Sequence, residues 1–138
     1  MTAILLATVL GVAACGWLRA SGVSHTKPSG FVLRGYVTVA GAAAGQPGAA
    51  CTSPAPDIGT NGQVRVTDPP NKVLAVGALR SGVLAAADGR YACNFPFVVP
   101  NVPGGHDRYS ISVAGRPFVS FPATALREDK PAVIQVTG

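Results

Sequence analysis

From Phe31 onward the chain predicts an all-β fold, a single antiparallel β-sandwich of about seven strands. Three observations predict it. Apolar and polar residues alternate in short runs; Gly, Pro and Asp-Gly break these runs at close intervals; and no segment keeps a helical period long enough to matter. Phe31–Val39 alternates, with Leu33, Val37 and Val39 on one face and Arg34 and Thr38 on the other. Ala40–Pro56 is rich in Gly, Ala and Pro, contains Cys51 and reads as a long loop. Gln63–Asp68 alternates cleanly and stops at Pro69-Pro70, and Lys72–Leu79 follows, closed by Ser81-Gly82.

Asp88-Gly89 then makes a tight turn, because glycine tolerates positive φ. It leads into Arg90–Val99, where Tyr91, Cys93, Phe95, Phe97 and Val99 all point one way. Pro96 lies on the opposite face and has no N–H for the ladder, which requires an edge position or a bulge. Val102-Pro103-Gly104-Gly105 turns one corner of the sandwich, and Tyr109–Val113 alternates after it, with Tyr109 placed to anchor the corner through its hydroxyl. Phe118–Phe121 and Ala132–Val136 complete the strands. Leu126–Lys130 has room for one helical turn between Pro122 and Pro131.

Ahead of the sandwich, Ala3–Ala14 is an uncharged and almost wholly apolar run. It is too short to span a membrane, which takes roughly 20 apolar residues. A buried helix of a globular domain is the alternative, but no polar face appears at helical spacing. The run closes in Leu10-Gly11-Val12-Ala13-Ala14-Cys15, small residues and then a cysteine, and this resembles the lipobox of bacterial lipoproteins. No Lys or Arg precedes the apolar core, a departure from the positive n-region of signal peptides. The resemblance implies a signal peptide over residues 1–14 and a lipid-bearing Cys15 as the first mature residue. Residues 15–30, with Gly, Ser, Pro, His25 and Lys27 and no period, then form a flexible tether to a sandwich domain over 31–138. Each buried methylene of a palmitate-like chain contributes about 0.8 kcal/mol, and two chains anchor stably where one is marginal. The expected location is the outer face of the cell membrane, lipid-anchored and extracytoplasmic.

With Cys15 lipidated, Cys51 and Cys93 remain, and in an oxidising compartment the expectation is a disulfide between them. Closing a loop of about 43 residues stabilises by roughly 4 kcal/mol in the chain-entropy treatment. The two histidines show no ligand spacing with a cysteine and no Cys-x-x-Cys occurs, so neither a metal site nor a redox pair is expected. The formal net charge is +5, but basic residues are spread singly from Arg19 to Lys130. That is not the patch or stripe of a nucleic-acid binder, and mild attraction to anionic headgroups or wall polymers is the natural consequence.

Two segments carry a further resemblance. Asp88-Gly89-Arg90-Tyr91-x-Cys93-x-Phe95-x-Phe97 leads into Val102-Pro103-Gly104-Gly105 and then Tyr109-x-Ile111-x-Val113. Together they resemble the strand-and-turn pattern of transthyretin-like, or carboxypeptidase-regulatory-like, β-sandwich domains. With the two cysteines, they are also similar to small envelope-anchored domains of GC-rich Gram-positive bacteria. The likeness spans Phe31–Val136 and consists of turns, core aromatics and a cysteine pair, so it implies a fold and no reaction. Some transthyretin-like proteins hydrolyse purine metabolites with histidine- and arginine-bearing motifs including Tyr-Arg-Gly-Ser, and that motif does not occur here.

No Gly-x-Ser-x-Gly, His-Glu-x-x-His or P-loop pattern is present. His106-Asp107-Arg108 is the most chemically suggestive cluster, yet neighbours on an extended chain point apart, and Glu128-Asp129 reads as a solvated turn. The expectation is a protein that is not an enzyme and takes no cofactor. It would be an interaction module or accessory subunit of an envelope complex, held to the membrane by its lipid and contacting a protein partner. A small-ligand or lipid-binding envelope protein is the alternative, and a charge-attracted spacer the third. A sandwich this small fills its own core, about 10 Å thick, leaving little room for a lipid. An exposed apolar patch would favour the module; a deep apolar cavity would favour the ligand binder. Cys15→Ala should move the protein from the membrane pellet to the supernatant on fractionation and abolish its lipid mass; unchanged partitioning and mass would refute the anchor.

Overall fold

β1 (Phe31–Ala40) is the strand around which the molecule is organised. The computed structural model describes residues 30–68, 72–127 and 130–137. The signal segment, Cys15 and the tether up to residue 29 lie outside the described residues, as do Pro69-Pro70 and Glu128-Asp129. β1 is followed by β2 (Gln63–Asp68), β3 (Lys72–Ala78), β4 (Val83–Ala87), β5 (Arg90–Val102), β6 (Arg108–Val113), β7 (Val119–Pro122), a five-residue α1 (Ala123–Arg127) and β8 (Ala132–Thr137). They form two four-stranded sheets, β4-β5-β1-β8 and β3-β2-β6-β7, packed face to face as an all-β sandwich.

Alternation in each strand delivers the core. Leu33, Val37 and Val39 of β1, Phe95, Phe97 and Val99 of β5, and Val64, Val66 and Ile111 of the second sheet are essentially inaccessible to solvent. At Gly35, also an inward position of β1, the ring of Phe97 occupies the space a side chain would take: a Cβ there would stand 2.7 Å from Phe97 Cζ and closer still to the carbonyl oxygen of Ala132. Phe97 is the register partner of Gly35 on β5 and Ala132 its partner on β8, so glycine here lets an aromatic ring fill the middle of the sheet.

The strands number eight among the described residues, one more than the seven expected. The extra one is β4, whose Ala85-Ala86-Ala87 has weak strand preference. Pairing supplies what propensity does not: the Asp88-Gly89 turn, with φ of 52° and 76°, folds β4 back onto β5 in register from Val83↔Asn94 to Ala87↔Arg90. A second difference is that β1 and β8 run parallel, from Gly35↔Ala132 to Ala40↔Thr137, while the other pairs are antiparallel. Alternation fixes which residues face the core and carries no strand direction; the direction comes from the crossover through α1, which takes the chain from one sheet to the other. The helical turn begins at Ala123, three residues before the position the sequence indicated.

Pro96 sits on an inner strand, yet in a locally unpaired place. β4 begins at Val83, opposite Asn94, and the chain before it runs alongside Pro96, whose carbonyl accepts from Arg80 N–H at 2.8 Å. The N–H and C=O of a strand residue project to the same side, so the missing donor faces this irregular segment and not β1. The expected edge is therefore local, created by the short length of β4.

The long loop after β1 covers the free edge of β4. Gly48 N–H donates to Leu84 O and Leu84 N–H to Ala49 O, both at 2.8 Å, and Cys51 N–H donates to Gly82 O at 3.3 Å. The Cys51–Cys93 disulfide, with Cα atoms 5.8 Å apart, ties this loop to β5, and Ala55 and Ile58 beyond it are buried in the core. An edge that would otherwise present unpaired backbone is closed by the chain's own loop. At the opposite corner Tyr109, wholly buried, donates its hydroxyl to Pro103 O at 2.7 Å and takes the edge of Phe31 at 5.4 Å between ring centroids. The corner role expected of this tyrosine is met.

Gly35→Ala should destabilise by about 1–3 kcal/mol, the usual range for overpacking a core. Chemical denaturation would show a lower midpoint at unchanged slope, and an unchanged midpoint would contradict the Gly35–Phe97 packing.

Candidate functional site

The outward positions of the β4-β5-β1-β8 sheet fall into strips set by strand register. Tyr36 of β1 is opposite Pro96 of β5 and Val133 of β8, giving an apolar platform across three strands. Two residues further along β1, Thr38 is opposite Asn94 and Gln135, giving a row of two amides and a hydroxyl. The next step places Ala40 opposite Ala92, itself paired with Ala85, a strip of small side chains. Successive strips are about 7 Å apart along the strands, and three strands span about 10 Å. Because alanines lie between larger neighbours, the face dips there into a concavity of about 310 Å³, open to solvent, with Arg90 at one margin. Among the described residues, no Asp or Glu lines it.

Asn94 is the polar group of most interest on this face. Its Oδ1 is buried and has no hydrogen-bond partner among the described residues. An amide left unpaired in a protein surface costs free energy unless something else supplies the bond. Thr67 Oγ1 on the other sheet is similarly unpaired, but Thr67 is 1% exposed, set between Val73 and Ser110.

A second open concavity, about 370 Å³, lies in the loop region beside the disulfide and Phe95. Among the described residues its walls carry no charge, and the hydroxyl of Ser53 is already used within its own turn, accepting from Ala55 N–H and donating to Ala55 O. The exposed apolar residues of the second sheet divide between its two edge strands, Val73 and Val76 on β3 and Val119 with neighbouring Phe118 at β7, and so make no single patch.

The His106-Asp107-Arg108 triplet does not converge. His106 Nδ1 lies 3.7 Å from Asp68 Oδ2 and its ring meets the edge of Tyr109. Arg108 Nε donates to Ser120 Oγ at 3.1 Å, and the backbone oxygen of Asp107 accepts from Ala123 N–H. These contacts fasten the segment before β6 to its neighbours. Among the described residues no three His, Cys, Asp or Glu side chains gather, and no helix is long and apolar enough to cross a membrane. Cys51 and Cys93 are brought together as a structural bridge, and Cys15 lies outside the described residues.

The best-formed ion pair is also structural. Arg116 Nε and Nη2 donate to Asp57 Oδ2 and Oδ1 at 2.6 and 2.8 Å, a two-pronged contact bridging the loop before β2 to the turn after β6. These hydrogen bonds hold the Asp57 carboxyl below its ordinary pKa, against a smaller opposing effect of desolvation.

Sequence reasoning did not identify Tyr36, Arg90, Asn94 or Gln135 as a group. Each stands at an outward position of a strand, and only the pairing of β1 with β5 and β8 places them side by side. Comparison of the chain with protein-family profiles, with curated proteins and with solved structures finds no match.

Asp57→Asn should lower the melting temperature slightly at neutral pH. Because the folded pKa of Asp57 is depressed, the pair's contribution is present above the unfolded value and is lost as pH falls through the folded one. The two melting temperatures should therefore begin to draw together as pH falls below about 4 and meet only below the folded pKa, and a difference independent of pH would show that the ion pair is not its source.

Proposed function

We propose that this chain is a non-enzymatic interaction module of the bacterial envelope, tethered through a lipid on Cys15, whose working surface is the outer face of the β4-β5-β1-β8 sheet. The observation that carries the reading is the concavity on that face, where the amides of Asn94 and Gln135 and the hydroxyl of Thr38 stand in one row. A few polar side chains set side by side in a concave, mostly apolar surface are what a binding site offers its partner. The lipobox-like Leu10–Cys15 and the Cys51–Cys93 disulfide support the extracytoplasmic location.

The alternative of an interior ligand or lipid site draws less support. Phe95, Phe97, Leu33 and the valines of both sheets fill the space between the layers, and the concavities beside Asn94 and beside the disulfide lie open at the surface. His106 contacts Asp68 and Tyr109, and Arg108 contacts Ser120, which supports a role in holding the fold and no reaction.

In-cell photo-cross-linking tests the face directly. A benzophenone side chain placed at Ala87, an exposed residue at the rim of the concavity, should give a discrete adduct in intact cells, and the same side chain at Arg65, outward on the other sheet, should give none. Adducts from position 65 alone, or from neither position, would contradict the assignment.

A further inference from the structure

The strips on this face differ in chemistry in a way that selects a class of ligand. Pro96, Tyr36 and Val133 form an apolar platform with an aromatic ring at its centre. Immediately beside it lie Asn94, Thr38 and Gln135, whose amides and hydroxyl can each donate and accept. A ligand that fits both must be apolar on its broad faces and ringed at its edges by groups that donate and accept. An acyl chain would leave the amide row unpaired, at a cost for each desolvated group. A pyranose fits: its C–H face packs on an aromatic or apolar surface while its equatorial hydroxyls point sideways into the row. The two strips together, about 7 Å by 10 Å, have the dimensions of one to two sugar units.

Charge narrows the class further. Arg90 lines the concavity and Arg34 stands on the same outward face of β1, opposite Val98, while among the described residues no carboxylate lines the depression. Asp88, in the turn just before Arg90, is not part of the lining. Such a field disfavours cationic ligands and attracts anionic ones. The strip of small residues, Ala85, Ala92 and Ala40, gives a continuing chain a shallow way past the amide row toward Arg90. Resting on the reading of this face as the working surface, we infer that its partner is a glycan: a sugar ring seated on Tyr36, hydroxyls held by Asn94, Thr38 and Gln135, and an acidic substituent drawn to Arg90.

The test uses the full-length lipidated chain in nanodiscs, titrated with defined hexasaccharides that are either neutral or built with uronic acids, and followed by NMR of side-chain amides. Uronic-acid oligosaccharides should shift the Asn94 and Gln135 side-chain resonances and bind at least tenfold more tightly than neutral ones. Tyr36→Ala and Gln135→Ala should each weaken binding tenfold or more. Arg90→Gln should remove the preference for the acidic series while leaving neutral binding in place; Gln135 and Arg90 are exposed, so these two variants test the site without disturbing the core. Binding that persists in all three variants would be unspecific attraction to a basic protein and would overturn the inference, as would the absence of any shift at Asn94 and Gln135. The cross-link from position 87, at the rim and outside the residues assigned to the sugar, separates the two levels of the reading. An adduct destroyed by periodate supports the glycan. An adduct that is polypeptide leaves the face as the working surface and overturns the glycan, and no adduct overturns both.

Discussion

The register of β1 is the constraint on which the rest depends. β1 is hydrogen-bonded on both sides, antiparallel to β5 and parallel to β8, and its alternation does two things at once. Its odd-numbered positions, Leu33, Gly35, Val37 and Val39, build the core; its even-numbered positions, Arg34, Tyr36, Thr38 and Ala40, build the outer face. A slip of one residue against either neighbour would exchange the two sets, burying Arg34 and Tyr36 and exposing the valines. Gly35 guards against this, since only there can the ring of Phe97 and the backbone of Ala132 approach so closely. The core and the proposed binding face are thus two sides of a single register.

The disulfide and the loop it fastens solve a different problem. β4 is short, alanine-rich and at an edge, and by itself it would hold poorly and leave its backbone open. The loop carrying Cys51 bonds to Leu84 and Gly82 along that edge and is pinned to Cys93 near the start of β5. This keeps Ala85 in place as part of the concavity, so the bridge supports the outer face without touching what would bind there. The Asp57–Arg116 contact and the Tyr109 hydroxyl do similar work elsewhere, tying irregular segments to strands.

Much of the fold was legible in the chain because period-two alternation reports burial directly. Phe31–Val39, Gln63–Asp68, Arg90–Val99 and Tyr109–Val113 all fall within observed strands, and the corner tyrosine and the cysteine pair behave as their chemistry indicated. β4 was not, because Ala85-Ala86-Ala87 has no strand signature and is held by pairing alone. The parallel direction of β8 was not, because alternation is the same in either direction. The candidate site was illegible for a related reason. Thr38, Asn94 and Gln135 are far apart in sequence, and their adjacency exists only once β1 lies between β5 and β8. The side chains that drew the eye in the sequence, His106 to Arg108, instead spend their contacts on holding β6 to its surroundings.

The register of β1 is therefore the quantity to measure, by nuclear Overhauser contacts in the isotopically labelled protein. The account predicts contacts from the Tyr36 ring to Pro96 and the Val133 methyls, and from the Thr38 methyl to both Asn94 and Gln135. Contacts linking Tyr36 or Thr38 to the buried Phe95, Phe97 or Ile134, or an antiparallel pattern between β1 and β8, would contradict it and dissolve the binding face along with the register.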